Sequence, residues 1–142
     1  MKAKLILICA VSILSLLLVA CAPVAKQVAV EVSCDDFSQQ KHISKQVEVA
    51  AGGTVTVTLC SNPTTGFIWS ETAQISDQSV LQQTDHKLVL PEGEGLVGAA
   101  GNEVWTFGAL KKGTSTVSME YSRPWEGGEK GEWTFVLTVV VK

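Results

Sequence analysis

From Val28 onward, apolar residues recur at every second position. Val28, Val30 and Val32 are separated by small or charged residues, Val47 and Val49 follow, and Val55, Val57 and Leu59 interleave with threonines. Phe67 and Trp69, then Trp105 and Phe107, then Val117, Met119 and Tyr121 keep the same period. The longest run comes last: Trp133, Phe135, Leu137, Val139 and Val141. A period of two sends alternate side chains to opposite faces of a strand, so each run predicts one buried face and one wet face. Ala51-Gly52-Gly53, Lys111-Lys112-Gly113 and the glycine-rich residues 126–131 supply turns at spacings suited to antiparallel strands. No stretch shows the longer period of an amphipathic helix. Seven or so short strands predict an all-β fold, an immunoglobulin-like antiparallel β-sandwich. Trp69, Trp105 and Trp133 keep the apolar phase and are expected in its core, whereas Trp125 breaks phase after Pro124 and is expected at the surface.

Residues 1–20 follow a different pattern. Lys2 and Lys4 precede an apolar run without a single acid, the layout of a secretory signal. The run is shorter than the roughly 20 residues that span a bilayer. Leu18-Val19-Ala20-Cys21 resembles a bacterial lipobox, which implies cleavage before Cys21, lipidation of Cys21 and a membrane-anchored product. The alternative is an ordinary signal peptide with a chance cysteine at its cleavage site. Ala22, where some inner-membrane lipoproteins carry Asp, favours an outer membrane if one is present. Residues 21–27 then form a lipidated tether of at most about 20 Å, and residues 28–142 form a single domain.

Loss of the leader removes two bases and no acid. Nine bases remain against 14 acids, a net charge of −5 where the full chain has −3. Such a domain makes no electrostatic case for nucleic acid. Attachment to anionic lipid is expected from acyl chains, not from the scattered lysines. With Cys9 in the leader and Cys21 committed to lipid, Cys34 and Cys60 remain as either one disulfide or two buried thiols in an oxidising compartment. The cysteine spacing does not suit zinc, and no cofactor is implied. His42 and His86 have no visible catalytic partners and are expected to be solvated.

Three segments stand out as candidates for recognition. In Asn62-Pro63-Thr64-Thr65-Gly66-Phe67, proline fixes one φ, glycine permits a positive one, and the asparagine side chain can bond back to the turn. Proline in the middle position also excludes Asn62 as a glycosylation acceptor. The second segment, Leu96-Val97-Gly98-Ala99-Ala100-Gly101, belongs to the longest irregular stretch, residues 91–102. The third, Arg123-Pro124-Trp125, precedes another glycine loop. If the three connect successive strand pairs, all emerge at the same end of the sandwich. Arg123 is either a plain surface charge or a brace for the Trp125 loop. The two histidines, the lack of a Gly-x-Ser-x-Gly elbow and the lack of paired carboxylates at telling spacing argue against an enzyme.

Together these motifs resemble the chagasin family, exported inhibitors of papain-type cysteine proteases, over residues 47–142. The resemblance implies a reversible, tight-binding wedge of three loops, at residues 62–67, 96–102 and 123–128. The central loop would cover the catalytic cysteine of a papain-family protease, with Thr65 closest to it. The outer loops would clasp the cleft walls, with Trp125 near the catalytic histidine. Ala100 departs from the family's Gly-x-Gly-Gly pattern, which questions how closely that loop approaches the protease. The alternative is a surface-tethered sandwich that binds glycan, or an envelope or host protein, through the same rim. Nothing calls for more than a monomer.

Overall fold

The computed structural model describes residues 23–92 and 98–142. The leader, Cys21, and Leu96 and Val97 of the glycine loop lie outside the described residues. Two sheets pack face to face. One has the order β1 (Gln27–Val32), β3 (Thr54–Ser61), β7 (Gly101–Ala109), β6 (Leu81–Val89). The other has β2 (His42–Val49), β9 (Trp133–Val141), β8 (Gly113–Ser122) and β4 (Ile68–Trp69), with β5 (Gln74–Ile75) also paired to β8. The alternating positions sort as expected: Val55, Val57 and Leu59 on β3, Trp105 and Phe107 on β7, and Phe135, Leu137 and Val139 on β9 are fully buried. Trp69 meets Trp105 edge-on across the core, at 6.4 Å and 86°, a favoured arrangement for aromatic pairs. Among the described residues, every buried hydrophobic side chain lies between Val30 and Val141.

Several details correct the sequence reading. Nine strands are present among the described residues, and two pairings, β1 with β3 and β2 with β9, are parallel. The parallel pairs arise because the chain crosses from one sheet to the other through a short helix, α1 (Cys34–Gln39). Ser33 and Asp36 form a reciprocal capping box at its start, which satisfies two otherwise unpaired donors. Six residues hold only one buried apolar side chain, Phe37, so no helical period can show in the sequence. Phe37 stacks on Trp133 at 4.9 Å and closes the end of the core. Strand β6 was also hidden. It is an edge strand of mostly polar residues with a register shift between Gln83 and Asp85, and a bulge breaks alternation.

The two remaining thiols are joined. Cys34 of α1 bonds to Cys60 near the end of β3, with Cα atoms 5.1 Å apart. The bridge ties the helix to the strand that delivers Asn62. In the chain-entropy account a loop of this length contributes about 3 kcal/mol.

Candidate functional site

The connections β3–β4, β6–β7 and β8–β9 all emerge at one end of the sandwich. The first is a single 3-10 turn over Pro63–Thr65, set by its own side chains. The Asn62 carboxamide oxygen accepts from Thr64 N–H at 3.3 Å and from the Thr64 hydroxyl at 2.6 Å. The Asn62 carbonyl accepts from Thr65 N–H at 3.1 Å and from the Thr65 hydroxyl at 2.7 Å. Gly66, at φ 82°, closes the turn by donating to Pro63 O at 3.0 Å. Below the turn, Asn62 N–H donates to the buried Tyr121 hydroxyl at 2.8 Å. Thr64 and Thr65 are left exposed at the apex. The Thr65 hydroxyl is spent on a carbonyl, so it is a poor candidate for a nucleophile.

Neighbouring loops are fastened to this turn. Asn62 Nδ2 donates to Gly98 O at 3.0 Å, which joins the rigid turn to the glycine loop. The Trp125 ring lies on Gly66: a Cβ placed there would stand 2.6 Å from Trp125 Cη2. The Arg123 guanidinium sits 4.4 Å over the Phe67 ring and 5.9 Å from that of Trp125, while its Nη2 reaches Thr65 O at 3.4 Å. Arg123 is therefore a brace, cation over aromatic face. Lys130 Nζ donates to the carbonyls of Arg123 and Trp125, and Gly128 N–H to Trp125 O at 3.1 Å, so the third loop also holds itself. Trp125 remains 52% exposed and Pro124 is exposed beside it.

The structure brings Asn62, Pro63, Thr64, Thr65, Gly66, Gly98, Ala99, Ala100, Arg123, Pro124 and Trp125 to this rim. It places Phe67 and Gly101 beneath it. Phe67 is 9% exposed and stacks on Tyr121 at 5.5 Å. Gly101 opens β7 where a Cβ would fall 2.4 Å from Val89 O. Ala100 is exposed, and every described residue with positive φ is a glycine, so its methyl group imposes no backbone strain.

The family model for the chagasin family peptidase inhibitor I42 matches residues 48–139. The chain belongs to the chagasin family. It is 35% identical to chagasin of Trypanosoma cruzi over 89 residues, 61% of this chain and 79% of that one. The fold matches the crystal structure of the cysteine protease inhibitor EhICP2 from Entamoeba histolytica with a TM-score of 0.61 at 21% identity, covering 82% of this chain and 97% of that one. PbICP-C, solved in complex with falcipain-2, gives the same TM-score of 0.61 at 16% identity, with 80% and 99% covered. Family members are peptidase inhibitors, and this chain is an inhibitor rather than an enzyme.

One polar cluster beneath the family's rim escaped the sequence reading. Glu103 is 4% exposed. Its Oε1 accepts from the Ser61 hydroxyl at 2.7 Å and from Trp69 N–H at 3.4 Å, and its Oε2 lies 2.9 Å from His86 Nε2. His86 is thus not solvated; it also packs on Trp105 at 4.8 Å. A carboxylate in phase with Trp105 and Phe107 was the available signal, because a buried charge requires partners. His42 is exposed as expected and lies 2.9 Å from the Thr134 hydroxyl.

Proposed function

We propose that this protein is a reversible, tight-binding inhibitor of papain-like cysteine proteases, exported and held at a membrane by lipid on Cys21. The observation that carries the inhibitory part is the fastening of all three loops into one preformed edge: Asn62 to Gly98, Trp125 on Gly66, and Arg123 on Phe67. A cleft-blocking surface gains affinity when it arrives ordered, because loops frozen on contact subtract from binding. Three such loops suit an interface of about 800 Å² per partner. The apex is a 3-10 turn, not an extended strand, so no peptide bond lies stretched across a nucleophile. That geometry lets the turn occupy a cleft without being cut. Trp125 is the energetic anchor, since a large rigid aromatic is the commonest hot-spot type. The complex of PbICP-C with falcipain-2 supports a cysteine protease as partner. The membrane part rests on the leader and on Leu18-Val19-Ala20-Cys21.

Titration of papain or a cathepsin L-type protease with the purified domain tests the inhibitory reading. Stoichiometric loss of activity is expected. Full protease activity at micromolar domain would instead favour a glycan- or protein-binding module. Mass analysis of protein extracted from membranes tests the anchor: an acylated Cys21 at the new N-terminus is expected, and an unmodified cysteine would remove it.

A further inference from the structure

The end of the sandwich opposite the rim is built from the β2–β3 turn at residues 50–53, the β7–β8 turn at residues 110–112, the end of β9, and residues 23–26 leading into β1. Backbone hydrogen bonds lace these pieces into one surface. Ala50 N–H donates to Ala25 O at 2.9 Å, Thr54 N–H to Lys26 O at 2.8 Å, Gly52 N–H to Ala109 O at 2.8 Å, and Ala51 N–H to Lys142 O at 3.0 Å. Lys26, Lys111, Lys112 and Lys142 are exposed there, and Leu110 projects beside them at 51% exposure. Lysines scattered along the chain are thus gathered by the fold. Two acids share this end: Glu48, which pairs with Lys142 at 3.2 Å, and Asp77, which Ser79 binds and Lys111 attracts. Lys26, Lys111 and Lys112 form no ion pair among the described residues.

Net charge of the domain is negative, but net charge does not govern a surface touched at one end. The parallel register of Gln27 with Thr54 and of Val32 with Leu59 shows that β1 starts at this pole while β3 runs from it toward Asn62. A strand of that length separates pole from rim by about 26 Å. At physiological salt, charges farther apart than about 8 Å are largely screened, so acids near the rim contribute little at the lysine pole. The same topology fixes where the chain leaves. Lys26 stands five residues from Cys21, within about 20 Å of it even fully extended.

We propose that this lysine pole is a membrane-facing surface that docks on anionic lipid headgroups and holds the three-loop rim pointing away into solution. A basic patch with an exposed apolar side chain beside it suits such a bilayer: lysines meet the headgroups and Leu110 enters the interface. The contact stands whether or not Cys21 is acylated and whether or not the rim is inhibitory. It would therefore supplement an anchor or act alone.

The test uses residues 23–142, which contain all the buried hydrophobic side chains of the described residues and carry neither leader nor acyl chain. Sedimentation is measured with vesicles of phosphatidylcholine alone and of phosphatidylcholine mixed with phosphatidylglycerol. Partitioning into the anionic vesicles only, weakening as salt rises, is expected. The exposed pair Lys111→Gln with Lys112→Gln should lower it about thirtyfold. On vesicles, amide exchange should slow at residues 110–112 and stay unchanged at residues 125–127. Equal sedimentation with both lipids, or no effect of the lysine substitutions, overturns the docking surface. Slowed exchange at 125–127 in place of 110–112 overturns the orientation. A domain that passes these tests but leaves papain active would count against the inhibitory reading alone.

Discussion

Replacing Gly66 by alanine isolates the contact that makes the rim one object. Two effects act at this position. At φ 82° an alanine lies in the left-handed region, which costs roughly 1–2 kcal/mol for an L-residue. The new Cβ would also stand 2.6 Å from Trp125 Cη2 and 3.3 Å from Cζ3. A side chain can yield where backbone cannot, so the indole is expected to lift off the turn and take the 123–128 loop with it. Gly52 separates the two effects. It has φ 77°, nothing within 4 Å of its notional Cβ, and sits at the opposite pole. Gly52→Ala should lower stability by about 1 kcal/mol and leave inhibition unchanged. Gly66→Ala should lower stability similarly and raise the inhibition constant about thirtyfold, the loss of an aromatic anchor worth about 2 kcal/mol. Guanidinium unfolding reads the first quantity and titration of a papain-type protease the second. In the double variant with Trp125→Ala, the second substitution should add little, because both remove the same contact. Equal inhibition by the Gly66→Ala and Gly52→Ala variants would refute the coupling.

Four other outcomes follow from the same structure. Trp125→Ala should weaken inhibition by about 2 kcal/mol while unfolding shifts by less than about 0.5 kcal/mol, as for other exposed positions. Removing both Cys34 and Cys60 as alanines should cost about 3 kcal/mol in a denaturant melt run without reductant. Glu103→Ala strips the Ser61 hydroxyl and His86 of their buried partner and should destabilise by about 2–3 kcal/mol, visible as a lower melting temperature. Hydrogen bonds from the Ser33 side chain and backbone hold the Asp36 carboxyl below its ordinary 3.8. The stability this gives is present above that value and is lost as pH falls through the depressed one; Ser33→Ala should flatten that part of the urea midpoint's pH profile.

The sandwich was legible because its central strands bury one face each. Val55, Val57 and Leu59, or Phe135, Leu137 and Val139, repeat with period two only because a facing sheet covers every second position. Edge strand β6 has no such discipline, since its outer side faces water and a bulge resets its phase, so Leu81–Val89 shows no alternation in the sequence. Helix α1 was too short to display a period. The rim motifs were readable because turns need particular residues: Pro63 and Gly66 have few substitutes at their φ values. What sequence could not supply was contact between distant segments. Trp125 on Gly66, Arg123 over Phe67 and Asn62 to Gly98 each join residues remote in the chain, as do the lysines gathered at the far pole.

Protection of a protease's catalytic thiol tests the wedge most directly. A papain-type protease is mixed with increasing amounts of the domain, and the rate of thiol alkylation by iodoacetamide is followed. The three-loop account predicts that alkylation stops at one equivalent and returns when Trp125→Ala weakens the complex. Alkylation at the free protease's rate while the domain is demonstrably bound would mean that it sits elsewhere on the enzyme, and the account would be wrong.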